Sequence, residues 1–283
     1  MTEPQETLAA WIGRTMEAED IVTPRLDTSF RATFGPNLAV TEEGVASPGL
    51  HWCLSPEIAD TSRLGSEGHL PGGDFRPPVP LPRRMWAGSE VQILAPLRIG
   101  DHVRRRSTID GITWKQGKTG TLCFVSICHD IANAKGSAIS ELQTLVYREA
   151  KSIEPAPIAK ASGTTHIAND RARRVLIDEV LLFRYSALTF NGHRIHYDIP
   201  YATNVEGYAG LVVHGLLQAT LLLNHAARAY GREPSHFTFR SLSAAVGAQT
   251  LTLIAAKVAA NMLDLRIEAA SGAVSMQATA TWQ

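Results

Sequence analysis

The chain has 283 residues, of which 45% are hydrophobic and 19% charged, so its length suits one large domain or two modest ones with substantial cores. Its 27 basic and 27 acidic residues balance, and this composition indicates no broad electrostatic surface for nucleic acid. The arginine-rich segments 104–106 and 171–174 are expected to be solvated faces, with a contact to an anionic cofactor tail as the alternative.

The three cysteines, Cys53, Cys123 and Cys128, show no metal-ligating or redox spacing. Cys123 and Cys128 lie in an apolar, strand-like run, where we expect buried thiols of a protein from a reducing compartment. The acidic, polar N-terminus is unlike a secretory or organellar leader, and the apolar stretch 211–223 is too short to span a bilayer. These features favour a cytoplasmic location.

The first half of the chain reads as helices, a long loop and then strands. Apolar residues at helical spacing predict a helix over residues 5–20, and Pro24 begins a second, short helix that ends at Gly35. Residues 45–82 are rich in proline and glycine, which predicts a long loop, and long ordered loops are often functional. Strand-like runs separated by turn residues follow at 89–94, 103–114, 119–130 and 138–147.

The second half repeats this order after a linker predicted at residues 150–175. A strand at 164–167 or 175–183 leads to a short helix at 184–190 and a long apolar helix at 215–230. Further strands are predicted at 237–241, 251–258, 262–270 and 274–282. The repeated order predicts two small domains, each a curved antiparallel sheet wrapped on one helix, whose sheets can join edge to edge and bury their open strands.

Chemistry-bearing side chains are concentrated in residues 185–198. His196 carries an imidazole, which can accept and return a proton near physiological pH, whereas Asn191 can hold a water or a carbonyl but cannot act as a base. His193 can share a face with His196 on a helical turn. Asp198 is a candidate for orienting a ring, although alternation in an extended segment would point it aside. These residues alone leave a catalytic and a structural histidine equally open.

A second element begins at His214 and Gly215, where a long apolar run starts. The first N–H groups of a helix have no intrahelical partner and carry partial positive charge. They would stabilise a thioester oxygen that gains enolate character, and glycine would let the substrate approach the backbone. Spacing alone leaves tight helix packing as an equal explanation of the glycine.

Other classes of site find little support. A metal bound by His193 and His196, with Asp198 or His214 as a third ligand, is the weaker alternative because no standard metal signature is present, and we predict no metal. The sequence has no Gly-x-Ser-x-Gly, no cysteine beside a base and no glycine-rich phosphate loop. Proton transfer or water addition beside a polarised carbonyl remains.

The motif Tyr-x-x-Leu-Thr-Phe-Asn-x-His-x-Ile-His at 185–196, followed by Val-Val-His-Gly-Leu, resembles the signature of the MaoC-like, R-specific enoyl-CoA hydratases of the hotdog fold. Segments 68–75, 78–88 and 95–101 resemble a subgroup with two fused hotdog halves, which includes mesaconyl-CoA and itaconyl-CoA hydratases and mitochondrial-type 3-hydroxyacyl-thioester dehydratases. The resemblance covers nearly the whole chain and its proline-rich segment is quite specific.

This resemblance implies an α+β double hotdog, in which two curved antiparallel sheets are each wrapped around a central helix. Residues 1–150 would form a degenerate N-terminal hotdog that shapes the acyl pocket. Residues 151–283 would form the C-terminal hotdog that carries the hydratase motif.

The resemblance also implies that His196 is the catalytic histidine and that the backbone N–H of Gly215 is the oxyanion donor. Asn191 stands where the wider family usually has a catalytic aspartate, and His193 stands where it usually has asparagine. Without that carboxylate, His196 has to carry most of the proton transfer, with His193 or Asp198 assisting.

The implied reaction is reversible addition of water across the α,β double bond of an acyl-CoA, with no separate cofactor because coenzyme A is part of the substrate. The subgroup favours a branched C5 dicarboxylic acyl-CoA such as mesaconyl-CoA or itaconyl-CoA, with citramalyl-CoA as the hydrated partner. The alternatives are dehydration of straight-chain 3-hydroxyacyl thioesters in fatty-acid synthesis, thioester hydrolysis and non-catalytic binding of acyl thioesters.

Five further residues are predicted to contact the substrate. Arg83 and Arg84 are candidates for its carboxylate, with a surface or interface pair as the alternative. Trp86, Tyr185 and His214 lie within the quoted segments and complete the predicted substrate-binding set. We expect no nucleic-acid or membrane partner, and a homodimer or higher homo-oligomer.

Overall fold

Ten antiparallel strands form one continuous sheet. A computed structural model describes residues 7–117, 120–149 and 171–283 of the chain. The strands are β1 (Thr15–Ile21), β2 (Arg83–Ile93), β3 (His102–Gly117), β4 (Gly120–Asn133), β5 (Gly136–Arg148), β6 (Arg171–Ile177), β7 (His236–Ser241), β8 (Gln249–Ala259), β9 (Met262–Glu268) and β10 (Val274–Thr281). The α-helices are α1 (Pro24–Phe34), α2 (Glu179–Thr189), α3 (Ile199–Asn204) and α4 (Gly215–Tyr230).

The strand order shows how the two halves join. It runs β1-β3-β4-β5-β2-β7-β10-β9-β8-β6, so the first-half strands occupy one side of the sheet and the second-half strands the other. At the junction β2 pairs with β7, and Val91 lies opposite Phe237. Each half-sheet thereby covers an edge of the other, which confirms the predicted edge-to-edge joining.

The predicted strands correspond to β2–β5 and β7–β10, and most extend a few residues further than predicted. Alternation along them places every second side chain on the inward face. In β4 this face carries Cys123, Val125 and Ile127, which are all buried. Cys128 is one position out of phase and is exposed, so the expectation of a buried thiol is correct for Cys123 and wrong for Cys128.

The predicted helix over residues 5–20 is wrong in its second part, because residues 15–20 belong to strand β1, whereas residues 7–9 are helical and a turn follows them. The seven residues from Thr15 to Ile21 alternate in burial and pair antiparallel with β3. Glu17 lies opposite Arg106, and their charged groups approach to 3.9 Å. The sequence from Thr15 fits a period of two as well as one of 3.6, and pairing with β3 selects the strand.

Helix α4 is the central element of the second half, and its bounds are those predicted. All of its residues from Leu217 to Ala227 are buried, which is the condition of a helix enclosed on every side. It packs against β7, β8, β9 and β10. No helix in the described ranges is long and apolar enough to cross a membrane.

In the first half, shorter pieces cover the same face of the sheet. The 3-10 turn Leu50–Cys53 is buried throughout. Its Trp52 donates a hydrogen bond of 3.1 Å from Nε1 to Glu141 Oε2 on β5 and meets Phe239 on β7 edge-on at 5.9 Å. The space beside β3–β5 that a long helix would fill is therefore left partly open.

One hydrophobic core runs through both halves, with Phe30 of α1, Val91 of β2 and Leu222 of α4 in a single cluster. The predicted boundary between residues 150 and 151, most of the linker and the alternative strand at 164–167 lie outside the described residues. Strand β6 begins at Arg171, within the last part of the predicted linker.

Asn224 ties the two halves together from inside this core. It is fully buried on α4, where its Nδ2 donates to the Pro48 carbonyl at 2.8 Å and its Oδ1 accepts from the Ala39 N–H at 3.0 Å. Buried backbone groups need such partners because they have lost water. The side chain thus fixes the first-half loop against α4.

Replacing Asn224 with Ala is expected to lower the free energy of unfolding by about 2–4 kcal/mol, because it strands a buried donor and a buried acceptor. Urea denaturation measures this change. The matched control is Asn204→Ala at an exposed position, where the change should stay within about 0.5 kcal/mol. Equal stability of the two variants would contradict the role assigned to Asn224.

Candidate active site

A cavity of about 730 Å³ lies between the two halves and is lined by residues of both. All nine residues predicted from the sequence line it: Arg83, Arg84, Trp86, Tyr185, Asn191, His193, His196, His214 and Gly215. The fold therefore brings together, around one cavity, residues that the sequence places in three separate segments.

The histidine loop, residues 190–198, follows α2 and forms one wall of this cavity. Asp178 caps the start of α2 through its side chain. The helix ends at Phe190, whose φ of 51° and ψ of 35° are left-handed and rare for a residue with a side chain. The N–H groups of Phe190 and Asn191 both bond to the Ser186 carbonyl, and this sharp turn delivers the Asn191 side chain to the cavity.

His196 lies in the 3-10 turn Arg194–His196 and is 7% exposed. Its Nδ1 is 2.7 Å from the carbonyl oxygen of Val212. Because a carbonyl oxygen only accepts, Nδ1 carries the proton and Nε2 keeps a lone pair. Burial, with a smaller contribution from His69, lowers the pKa of His196 to about 4. The ring is therefore neutral at physiological pH and can accept a proton on Nε2.

The ring of His214 stacks on that of His196, with centroids 3.5 Å apart and planes 20° from parallel. Its Nε2 lies 2.8 Å from the Ser186 hydroxyl oxygen. Burial lowers the pKa of His214 well below its usual value, so the two rings stack without charge repulsion. This contact places His196, the candidate base, against His214, which directly precedes Gly215 in the chain.

The amino end of α4 is open towards the cavity. His214 is its N-cap residue but forms no side-chain capping bond, and Gly215 and Leu216 both line the cavity. The first-turn N–H groups thus remain available to a ligand oxygen. A Cβ at Gly215 would lie 3.6 Å from Ser241 Oγ, an ordinary contact. Helix packing therefore does not require the glycine.

The first half contributes two residues that the sequence analysis missed, Glu67 and His69. His69 Nε2 lies 2.9 Å from Asn191 Oδ1, which also accepts from the His193 N–H at 3.0 Å. Glu67 lies 3.6 Å from His69 Nδ1 and 3.9 Å from His193 Nε2. The Asn191 oxygen is thus occupied twice, and its NH2 group is the part left for a ligand.

Two glycines make this approach of the halves possible. A Cβ built on Gly68 would lie 1.9 Å from the Gly192 carbonyl oxygen, and one built on Gly192 would lie 2.7 Å from the Gly68 oxygen. Arg194 reinforces the contact by donating its N–H to the Glu67 carbonyl at 3.0 Å. The sequence offered one signal for the role of His69, namely a histidine within the long loop at 45–82. Its partner Asn191 lies 122 positions away in the chain, so the sequence did not indicate the contact.

Asp198 has a structural role rather than the predicted chemical one. Its Oδ2 pairs with Arg194 at 2.7 Å, and its Oδ1 accepts from the Tyr201 N–H at 3.0 Å as the cap of α3. Both oxygens are therefore committed to positions outside the imidazole cluster. The predicted assistance to His196 by Asp198 finds no contact among the hydrogen bonds of residues 171–283.

Within the described parts of the chain, Glu67, His69 and His193 form the group whose geometry could hold a metal ion, with ligand atoms within 4.8 Å of one another. This group differs from the one considered in the sequence analysis. It keeps His193, but Glu67 and His69 come from the loop of the first half. The absence of a metal remains a prediction.

The predicted substrate-binding residues differ in how free they are. Arg83 is paired with the Glu206 carboxylate at 2.9 Å. Arg84 has only a loose contact with Glu67, at 3.8 Å. Trp86 Nε1 donates to Ser89 Oγ at 2.9 Å. The buried ring of Tyr185 meets His214 edge-on at 5.1 Å, and substrate contacts of this set remain predictions.

The joined half-sheets, the central helix and the open helix start define a double-hotdog protein. Among solved structures, a MaoC-like dehydratase matches over 98% of this chain and 100% of its own, with a TM-score of 0.71 at 11% identity. A Mycobacterium tuberculosis protein described as a double hotdog covers 95% of this chain and 96% of its own, with a TM-score of 0.60 at 13% identity. These matches confirm the predicted fold.

Sequence comparison identifies the family. The family model of hydroxyacyl-thioester dehydratase type 2 matches residues 49–247. Mesaconyl-C(4)-CoA hydratase of Chloroflexus aurantiacus is 41% identical over 271 residues, which cover 95% of this chain and 96% of the relative. The chain belongs to the MaoC-like hydroxyacyl-thioester dehydratase family, and it is a hydro-lyase of the hydratase and dehydratase type.

Replacing Gly68 with Ala is expected to push the loop of the first half away from the histidine loop, because no side chain fits against the Gly192 carbonyl. The control is Gly100→Ala, since Gly100 has a φ of 96° against 93° for Gly68 but open space around it. Gly68→Ala should cost about 1–3 kcal/mol more stability than the control. Hydrogen exchange should rise in residues 190–198 only for Gly68→Ala. Unchanged exchange there would contradict the docking.

Proposed function

We propose that this protein catalyses the reversible hydration of a branched C5 dicarboxylic acyl-CoA, mesaconyl-CoA or itaconyl-CoA, to citramalyl-CoA. The identity with mesaconyl-C(4)-CoA hydratase over nearly the full length of both chains supports this choice of substrate. The observation that carries the chemistry is the neutral His196 ring, whose proton is held on Nδ1 by Val212 while Nε2 remains free beside the open start of α4.

The proposed first step is the addition of water to the β carbon. The NH2 group of Asn191 donates to the water oxygen and holds it, because the amide oxygen is already engaged by His69 and His193. His196 Nε2 takes one proton from this water as its oxygen bonds to the β carbon. A positioned base of this kind typically contributes about 10²–10⁴ in rate.

As the new bond forms, the electrons of the double bond move to the thioester oxygen, which gains enolate character. The N–H of Gly215 donates to this oxygen at the start of α4. Such a donor is preorganised, and removal of one typically costs about 10²–10³ in turnover. The protonated His196 then returns its proton to the α carbon, which gives syn addition and restores the neutral ring.

Glu67 and His69 are positioning residues in this scheme. Burial opposes the charged form of Glu67, but its contact with His69 and its attraction to Arg84 prevail and lower the pKa of Glu67. The resulting carboxylate lies 3.6 Å from His69 Nδ1, and the other ring nitrogen of His69 holds the amide oxygen of Asn191. Residues of the first half thus position the Asn191 side chain, whereas the groups that react belong to the second half.

The His196→Ala variant is expected to lower kcat by at least about two orders of magnitude with the fold retained, because the general base is lost. Loss of absorbance at the enoyl-thioester band measures hydration. His225→Ala is the control, since His225 is also largely buried on α4 but does not line the cavity. Near-normal turnover by a folded His196→Ala protein would refute the role of this residue.

The pH dependence follows from the lowered pKa of His196. The neutral ring is the active form, so activity is lost as the pH falls through the pKa and the ring takes a proton. With a pKa of about 4 in place of the usual 6.5, kcat/KM should stay level through pH 6.5 and decline only near pH 4. Circular dichroism at each pH controls for unfolding. An acid limb centred at 6.5 would contradict this assignment.

A further inference from the structure

The cavity contains a second polar region that the proposed chemistry does not use. It lies on the inward face of β3–β5, where alternation otherwise places apolar side chains such as Ile109, Ile127 and Leu145. We call it the polar patch. Its members all line the cavity: Arg105, Ser107, His129, Glu141 and Gln143 from these strands, and His51 from the 3-10 turn Leu50–Cys53.

Part of the polar patch satisfies itself. His129 joins all three strands, with Nδ1 2.8 Å from Ser107 Oγ and Nε2 3.1 Å from Gln143 Oε1. Burial lowers the pKa of His129 to about 4, so this ring is neutral. These three residues form a rigid polar floor that carries no charge of its own.

Arg105 is the charged member, and its position corrects a sequence expectation. The segment 104–106 was expected to be a solvated face, and Arg104 and Arg106 are indeed exposed. Arg105, between them, points inward. Its Nη1 and Nη2 donate to the carbonyls of Leu54 and Ser55 at 3.3 and 2.5 Å. Because these acceptors are neutral, they orient the guanidinium without cancelling its charge.

The remaining members leave the polar patch short of negative charge. Burial raises the pKa of Glu141 to about 7, so this carboxyl is partly protonated near neutrality. Arg105 Nε, His51 Nε2 and Glu141 Oε1 are buried without a hydrogen-bond partner among the described residues. His51 is only 4% exposed, and its own pKa is lowered to about 3 by burial, His129 and Arg105.

The cavity lining as a whole has the same bias. Five arginines and four glutamates line it. Arg83 is paired with Glu206 at 2.9 Å, and Arg76 with Glu57 at 2.6 Å. No carboxylate within the described ranges forms a contact ion pair with Arg105, and Glu141, Glu57 and Asp20 attract its charge only from beyond contact distance. An anion is therefore the ligand that this region lacks.

We infer that the polar patch binds the free carboxylate of a dicarboxylic acyl-CoA, with Arg105 as the principal contact. The inference rests on the proposed function, because it assigns the acyl end of the same cavity. A carboxylate would meet the Arg105 guanidinium in a charge-assisted contact. An alkyl end would return no hydrogen bond to the guanidinium, so the polar patch selects against fatty-acyl thioesters.

The first test uses the unmodified protein and two saturated thioesters. Succinyl-CoA and butyryl-CoA differ only in carrying a carboxylate or a methyl group at the acyl end. Isothermal titration should give a dissociation constant at least about tenfold lower for succinyl-CoA, as a charge-assisted contact requires. Equal affinity for the two thioesters would overturn the inference.

The second test asks whether Arg105 is responsible. Arg105→Met keeps much of the side-chain volume, and Arg104→Met is the control at the exposed neighbouring position. The substrates are mesaconyl-C(4)-CoA and 3-methylbut-2-enoyl-CoA, in which a methyl group replaces the carboxylate. Arg105→Met should lower kcat/KM at least about tenfold for the former, mainly through KM, and less than about threefold for the latter.

Equal losses on both substrates, or none on mesaconyl-C(4)-CoA, would contradict a carboxylate contact at Arg105. The two proposals fail separately. If the unmodified enzyme prefers mesaconyl-C(4)-CoA but Arg105→Met leaves that preference unchanged, the polar patch assignment is wrong and the proposed function stands. If it hydrates neither, the proposed function is wrong. If Arg105→Met does not fold, the two titrations of the unmodified protein decide.

Discussion

The contact between the backbones of Gly68 and Gly192 is the constraint on which the site depends. It brings a loop of the first half against the histidine loop with no side chain between them. Through this contact Glu67 and His69 reach Asn191, and the cavity acquires walls from both halves. Neither half alone contains the complete arrangement, so joining the two sheets serves the site as much as it serves stability.

Burial determines the protonation of the site. The imidazoles of His193, His196 and His214 are all held neutral because desolvation disfavours their charged forms. Three protonated rings at these separations would repel one another, whereas neutral rings pack face to face or edge to face. The stacking that orders the site and the lone pair that can accept a proton thus have the same cause.

Local patterns in the sequence were sufficient for most of the fold. Continuous apolar character and a glycine start predicted α4, and strand-like runs separated by turn residues predicted eight of the ten strands in the described ranges. The prediction for residues 15–21 was wrong because their apolar pattern fits both a helix and a strand, and pairing with β3 selects the strand. The motif at 185–196, the segment 78–88 and the start of the apolar run at 214–215 likewise supplied predicted residues that all line one cavity.

Contacts distant in sequence could not be predicted in this way. The role of His69 depends on its contact with the side-chain amide of Asn191, 122 residues further along, and nothing near His69 in the chain indicates that partner. Arg105 sits in a run of three arginines that resembles a solvated surface, and only the register of β3 against β4 turns the middle one inward. Side chains whose role depends on register or on docking between halves need the three-dimensional structure.

The separation of the histidine loop from β3–β5 also bears on how such enzymes diversify. The groups that we propose to act at the reacting carbons sit on α2, the histidine loop and the start of α4, whereas the polar patch is built mainly from β3–β5. Substitutions at inward positions such as 105, 129 and 141 would therefore alter the acyl end of the cavity without touching the histidine loop or the start of α4. In this architecture, preference for an acyl group and the addition of water can be varied independently.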